Sequence, residues 1–101
     1  MVKILLVCSA GMSTSLMVEK MKTSAASQGL EVEIWAVADA EAKTNIDKAD
    51  IMMLGPQVRF LEKKMKEIAG TKPVTVIDMQ AYGTMNGEKV LAQALKILNI
   101  Q

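Results

Sequence analysis

The 101-residue sequence contains no histidine, one cysteine, and a single phenylalanine, tryptophan and tyrosine. Without imidazole the chain cannot build a Cys-His or Ser-His-Asp nucleophile from its own residues, and it lacks the commonest metal ligand. One cysteine excludes an internal disulfide, a CxxC redox pair and a cysteine-cluster metal site. A reducing compartment and a protein without resident metal or cofactor follow as expectations. Three aromatics form no base-stacking platform, and 12 Lys and Arg against 11 Asp and Glu create no field that would gather nucleic acid. No apolar run nears the ~20 residues of a membrane helix, and no charged segment leads into a long apolar one at the N-terminus. The reading is a cytoplasmic chain without direct membrane insertion, whose ligand is a small polar molecule or a protein partner.

What is present is an alternation of strand and helix patterns. Lys3-Ile4-Leu5-Leu6-Val7-Cys8 is a short continuous apolar run, as expected of a strand buried on both faces. Beyond Gly11, Met17, Val18, Met21 and Ala25 recur at helical spacing between Glu19, Lys20 and Lys22, and Gly29 supplies a stop. Val32–Val37 and Ala49–Leu54 read as the second and third strands, joined by a short helix or turn around Ala38 to Asn45. After Pro56, the stripe Val58, Leu61, Met65 and Ile68 predicts a long helix to about Ala69. Pro73–Asp78 reads as a fourth strand, Tyr82 to Gly87 as a loop, and Leu91, Ala94, Leu95 and Leu98 as a closing helix. Most of the nine methionines fall at core-like positions.

This pattern predicts one α/β domain over residues 1–101, large enough to bury a core unaided. Short connections imply a three-layer sandwich: a four-stranded parallel sheet in the flavodoxin-like order 2-1-3-4, with helices on both faces. In such sheets ligands bind beyond the carboxyl ends of the strands, near the switch point between the first and third. Cys8 to Ser15, Gly55-Pro56-Gln57 and Asp78 to Gly83 converge there.

The stretch Cys8-Ser9-Ala10-Gly11-Met12-Ser13-Thr14-Ser15 leaves a strand and opens a helix. Such a loop aims several backbone N–H groups at one point, and the helix dipole adds positive potential, so the geometry suits phosphate. The same donors stabilise a thiolate, and the hydroxyls of Ser9, Ser13, Thr14 and Ser15 add hydrogen bonds. From the residues alone two readings of Cys8 stand: a nucleophile that becomes the bound phosphocysteine, or a small buried hydrophobe ending a strand, with Ser13 an ordinary N-cap.

Low-molecular-weight phosphotyrosine phosphatases follow a similar first strand with Cys-x5-Arg-Ser/Thr, whose arginine clamps the phosphoryl group. Here the arginine's position is Thr14, neither proline follows an aspartate that could serve as acid, and no second cysteine offers arsenate-reductase chemistry. A loop that can hold phosphocysteine without arginine or acid suggests a carrier.

"CSAGMSTS", "LGPQVRF" and "VIDMQAYG", each after a strand, resemble the corresponding segments of the cytoplasmic IIB subunits of the lactose/cellobiose/chitobiose class of the bacterial phosphoenolpyruvate-dependent sugar phosphotransferase system. The resemblance spans essentially the whole chain. It implies that Cys8 accepts a phosphoryl group from a phosphohistidine of a IIA subunit and passes it to sugar held by a membrane IIC subunit. The protein would then be a monomer apart from transient complexes, and peripheral to the membrane. Ser9, Ala10, Gly11, Met12, Ser13, Thr14 and Ser15 would form the phosphate-binding loop. The Cys-Ser-Ala-Gly-Met start is more like the cellobiose and diacetylchitobiose members than the lactose ones.

Around the loop the residues keep two readings each. Gln57 could donate its amide N–H to the phosphoryl group or be a solvated first-turn residue. Asp78 could orient the loop or cap the next segment, and Tyr82 could line the site or pack beside it. Arg59, the only arginine, could dock a partner or be a solvated helix charge. A cysteine-dependent phosphatase is the alternative function. A receiver-like signalling domain is disfavoured, because Cys8-Ser9 and Leu54-Gly55 stand where acidic residues and a phosphorylatable aspartate would be needed.

Overall fold

The structure, a computed structural model, describes residues 1–9 and 12–100, and only the backbone of Met12 and Ser13. Strands β1 (Val2–Cys8), β2 (Val32–Ala38), β3 (Ile51–Leu54) and β4 (Val74–Val76) form one parallel sheet in the order β2-β1-β3-β4. The expected topology is therefore the observed one. Among the described residues no helix is long and apolar enough to cross a membrane.

The central strand explains its own composition. Ile4 to Val7 are fully buried because β1 pairs on both edges and is covered on both faces. Ile4 and Leu6 point into a core with Met17, Val18 and Met21 of α1 (Met12–Ser27) and with Val90, Leu91 and Ala94 of the last helix. Leu5 and Val7 point the other way. They meet Ala42, Ile46, Val58 and Met65. That second layer contains 3₁₀ turns at Asp39–Glu41 and Ile46–Lys48 flanking α2 (Ala42–Asn45), and then α3 (Glu62–Ala69).

Gly29 ends α1 as expected, at φ +72°, with its N–H on Ala26 O at 3.1 Å and that of Leu30 on Ala25 O at 2.9 Å. The final helix, α5 (Gly87–Ile97), lies against α1 with no room for a side chain at its first residue. A Cβ on Gly87 would sit 2.5 Å from the Lys20 carbonyl carbon.

Three expectations are corrected. The helix after Pro56 is broken: Pro56–Leu61 is a 3₁₀ segment with Val58 at φ −116°, ψ 21°, and α3 starts only at Glu62. Val58 turns into the second layer on that kink, while Phe60 stays 76% exposed. The fourth strand is shorter than Pro73–Asp78. Tyr82 and Gly83 are not loop but the end of a short helix, α4 (Met79–Gly83), because Asp78 caps it: Asp78 Oδ2 accepts the Ala81 N–H at 2.9 Å.

Candidate functional site

Cys8 is the last residue of β1 and 3% exposed. Strand alternation puts its side chain on the face of Ile4 and Leu6, the side covered by α1 and α5. Gly55 follows β3 on the neighbouring strand, donating its N–H to Val7 O at 2.9 Å. A Cβ on Gly55 would lie 3.0 Å from Gln57 Oε1 and 3.7 Å from Cys8 Cβ. The missing side chain thus lets Gln57 fold back over the end of β3 beside Cys8. Gln57 in turn donates a long hydrogen bond, Nε2 to Tyr82 Oη at 3.5 Å. Tyr82 is 8% exposed and belongs to the α1–α5 core. The geometry therefore links the three segments expected to converge: Cys8 beside Gly55, Gly55 beside Gln57, and Gln57 on Tyr82.

Helix α1 opens at Met12, four residues beyond Cys8, so its positive dipole end follows the cysteine closely. Thr14 is 1% exposed, the one buried polar residue among those described, and no guanidinium occupies that place. Ser9 and Ser15 are exposed. The expected loop donors Ala10 and Gly11 lie outside the described residues, as do the side chains of Met12 and Ser13.

Asp78 is exposed, with one carboxylate oxygen engaged on Ala81 N–H, the capping role that sequence reading had kept open. Arg59 is exposed and lines an open groove of about 490 Å³ with Pro56, Gln57, Phe60 and Met79. A larger groove of about 650 Å³ runs between α1 and the α4–α5 turn, past Leu16, Thr23 and Asn86, and neither Cys8 nor Gln57 lines it. Among the described residues the groove that Gln57 lines is open to solvent rather than a deep cavity.

Sequence reading missed three exposed apolar side chains. Leu16 (50% exposed), Phe60 (76%) and Met79 (59%) stand in the helical segments that follow β1, β3 and β4. The other large apolar residues left exposed among those described, Met1, Ile97 and Ile100, lie at the chain termini. Phe60 could have been found from its place off the Val58-Leu61-Met65 stripe, and Met79 from directly following the capping Asp78. Gln93 of α5 was also missed. Its Oε1 accepts Asp78 N–H at 3.0 Å and its Nε2 donates to Val76 O at 2.8 Å and Thr75 Oγ1 at 3.3 Å.

Residues 3–93 match the family described as PTS system, lactose/cellobiose-specific IIB subunit. The oligo-beta-mannoside-specific EIIB component of Bacillus subtilis is 50% identical over 100 residues, covering 97% of each chain. The galactose-specific EIIB component of Lactococcus lactis subsp. cremoris is 48% identical over 104 residues, covering 95% of each. A cellobiose-specific IIB component from Borrelia burgdorferi, solved in solution, superposes with a TM-score of 0.80 at 42% identity, covering 97% of this chain and 92% of its own. The crystal structure of a YwlE mutant from Bacillus subtilis superposes at a TM-score of 0.60 and 18% identity. It covers 98% and 99% of the two chains, a likeness of fold alone.

Proposed function

The chain belongs to the lactose/cellobiose-specific IIB family of the sugar phosphotransferase system, and from that premise we propose that Cys8 is its phosphoryl-carrying nucleophile. Members of the family are phosphotransferases that work with IIA and IIC partners. In the proposed relay the Cys8 thiolate attacks the phosphorus of a phosphohistidine on IIA. The S–P bond forms as the N–P bond breaks, and the imidazole leaves with the electron pair. A hydroxyl of sugar bound in IIC then attacks the same phosphorus. The S–P bond breaks, the thiolate returns, and the hydroxyl proton passes to a base on the acceptor side.

The observation that carries this reading is the convergence of Gly55 and Gln57 on the buried end of β1, at the switch point of the sheet and ahead of the α1 N-terminus. Backbone and hydroxyl donors of Ser9, Ala10, Gly11, Met12, Ser13, Thr14 and Ser15 would hold the phosphoryl oxygens, with the Gln57 amide as a further donor. Tyr82 would orient Gln57, Asp78 would hold the α4 corner, and Arg59 would meet acidic groups of a partner. With threonine rather than arginine at position 14, the loop stabilises a hydrolytic transition state less, so the phosphocysteine survives to be handed on. The protein works in the cytoplasm, docking at membrane-bound IIC, and the sugar class suggested by Cys-Ser-Ala-Gly-Met is cellobiose or diacetylchitobiose.

Incubation with phosphoenolpyruvate, the general phosphotransferase proteins and a cognate IIA, followed by intact mass measurement, tests the assignment. The wild type should gain one phosphoryl group and Cys8→Ser none. An unmodified wild type, or an equal adduct on the variant, would refute it.

A further inference from the structure

We propose that Gln93, on α5, is a positioning residue for the phosphoryl site: its side-chain amide fixes the end of β4 and so holds the Tyr82 hydroxyl against Gln57 beside Cys8. The inference deepens the phosphocarrier reading and rests on it.

Strand β4 is only three residues long and forms the outer edge of the sheet. On its inner side the Met52 N–H reaches Pro73 O at 3.0 Å and the Ile77 N–H reaches Leu54 O at 2.8 Å. The alternate groups, Val76 O and Asp78 N–H, therefore face away from the sheet, where no strand follows. Gln93 supplies what a fifth strand would have supplied. Its amide accepts from Asp78 N–H at 3.0 Å and donates to Val76 O at 2.8 Å, bracketing Ile77 as a neighbouring peptide would. A third bond, Nε2 to Thr75 Oγ1 at 3.3 Å, adds to this grip.

Asp78 transmits the constraint. Held at its N–H by Gln93, it accepts Ala81 N–H on its carboxylate at 2.9 Å and Tyr82 N–H on its carbonyl at 2.9 Å. Helix α4 has five residues, too few to fix its own direction, so this anchored corner, together with the packing of Tyr82 in the α1–α5 core, sets where Tyr82 points. Tyr82 Oη receives the Gln57 Nε2 bond, and a Cβ on Gly55 would meet both Gln57 Oε1 and Cys8 Cβ, so Gln57 lies close to the cysteine across that glycine. Gln93 itself is half-buried on a helix locked to α1 at Gly87, and α1 opens at the site. One amide thus ties the outer strand's corner to the helix pair that frames the cysteine.

A double-mutant cycle in single-turnover transfer from phosphorylated IIA tests this. Gln93→Leu keeps most of the volume and removes every amide contact. Gln93→Glu keeps an acceptor for Asp78 N–H but sets a carboxylate oxygen against Val76 O. Each should lower the transfer rate at saturating donor about five-fold, with the KM for IIA unchanged. In a Tyr82→Phe background Gln93→Leu should add little, because the group it positions is already gone. A merely stabilising role would multiply with Tyr82→Phe and track the thermal midpoint alone. Wild-type transfer by Gln93→Leu, or full multiplicativity in the cycle, overturns the proposal. Heteronuclear NMR of the Gln57 side-chain amide reads the geometry without any chemistry: Gln93→Leu should shift its resonances, and unchanged resonances overturn the proposal even if labelling of Cys8 were to fail. Failure of wild-type labelling, by contrast, counts against the carrier reading and leaves the NMR arm to decide on Gln93.

Discussion

The two faces of the sheet bury the same strands by different means. One face is covered mainly by α1 and α5, of 16 and 11 residues, fitted so closely at Gly87 that backbone meets backbone. The other is covered in short lengths, 3₁₀ turns around the four-residue α2 and then a kinked entry into α3. Both exclude water from β1 equally well, since Leu5 and Val7 are as buried as Ile4 and Leu6. Yet the Cys8 side chain and Tyr82 fall on the closely fitted side. The patchwork face contributes Val58, whose turn inward leaves Gln57, Arg59 and Phe60 lining the open groove. Precision of placement lies with the long helices, and the shorter pieces complete the core and shape the approach.

Substitutions can break that contrast, and the largest effect belongs to the closely fitted face. Cys8→Ser should abolish phosphoryl uptake outright, in an assay of labelling by phosphorylated IIA, while the circular dichroism spectrum stays native. Next, Gly87→Val forces atoms into the Lys20 and Met21 backbone and should cost about 3 kcal/mol in a urea denaturation series. Transfer by its folded fraction should also slow, because α5 shifts against α1. On the opposite face Met65→Ala should cost about 2 kcal/mol by the same denaturation, since Met65 is buried among Leu5, Met52 and Leu54. Its transfer rate, corrected for folded fraction, should stay at the wild-type value. A slowed Met65→Ala would erase the distinction between the faces. Smallest is Phe60→Ser, at a side chain 76% exposed: the KM for phosphorylated IIA should rise about five-fold with kcat and thermal midpoint unchanged.

The layered α/β order was legible because its signals are local. The unbroken run Ile4 to Cys8 announces a strand buried on both faces, and Gly29 marks the end of α1 with the positive φ that glycine readily adopts. The break at Val58 was not legible, since Val58, Leu61 and Met65 keep helical spacing while Val58 leaves helical φ/ψ to be buried in the second layer, a tertiary contact that spacing does not carry. Helix α4 was readable in principle from Asp78 three residues before Ala81, but Tyr82 and Gly83 look like loop residues without it. At the site, the residues alone left Cys8 undecided between filler and nucleophile, and its burial suits both. Gln93 was invisible for a different reason. Its partners Thr75, Val76 and Asp78 lie 15 to 18 residues away, and a glutamine on a helix carries no mark of the strand edge it will meet.

The central claim is that Cys8 holds a phosphoryl group in order to pass it on. It is tested most directly by isolating the phosphorylated protein and dividing it between buffer and membrane vesicles carrying IIC with cellobiose. The account predicts that the phosphoryl group stays on the protein in buffer and appears on the sugar only with the vesicles. Release as inorganic phosphate at the same rate in both would contradict it and would mark the protein as a phosphatase.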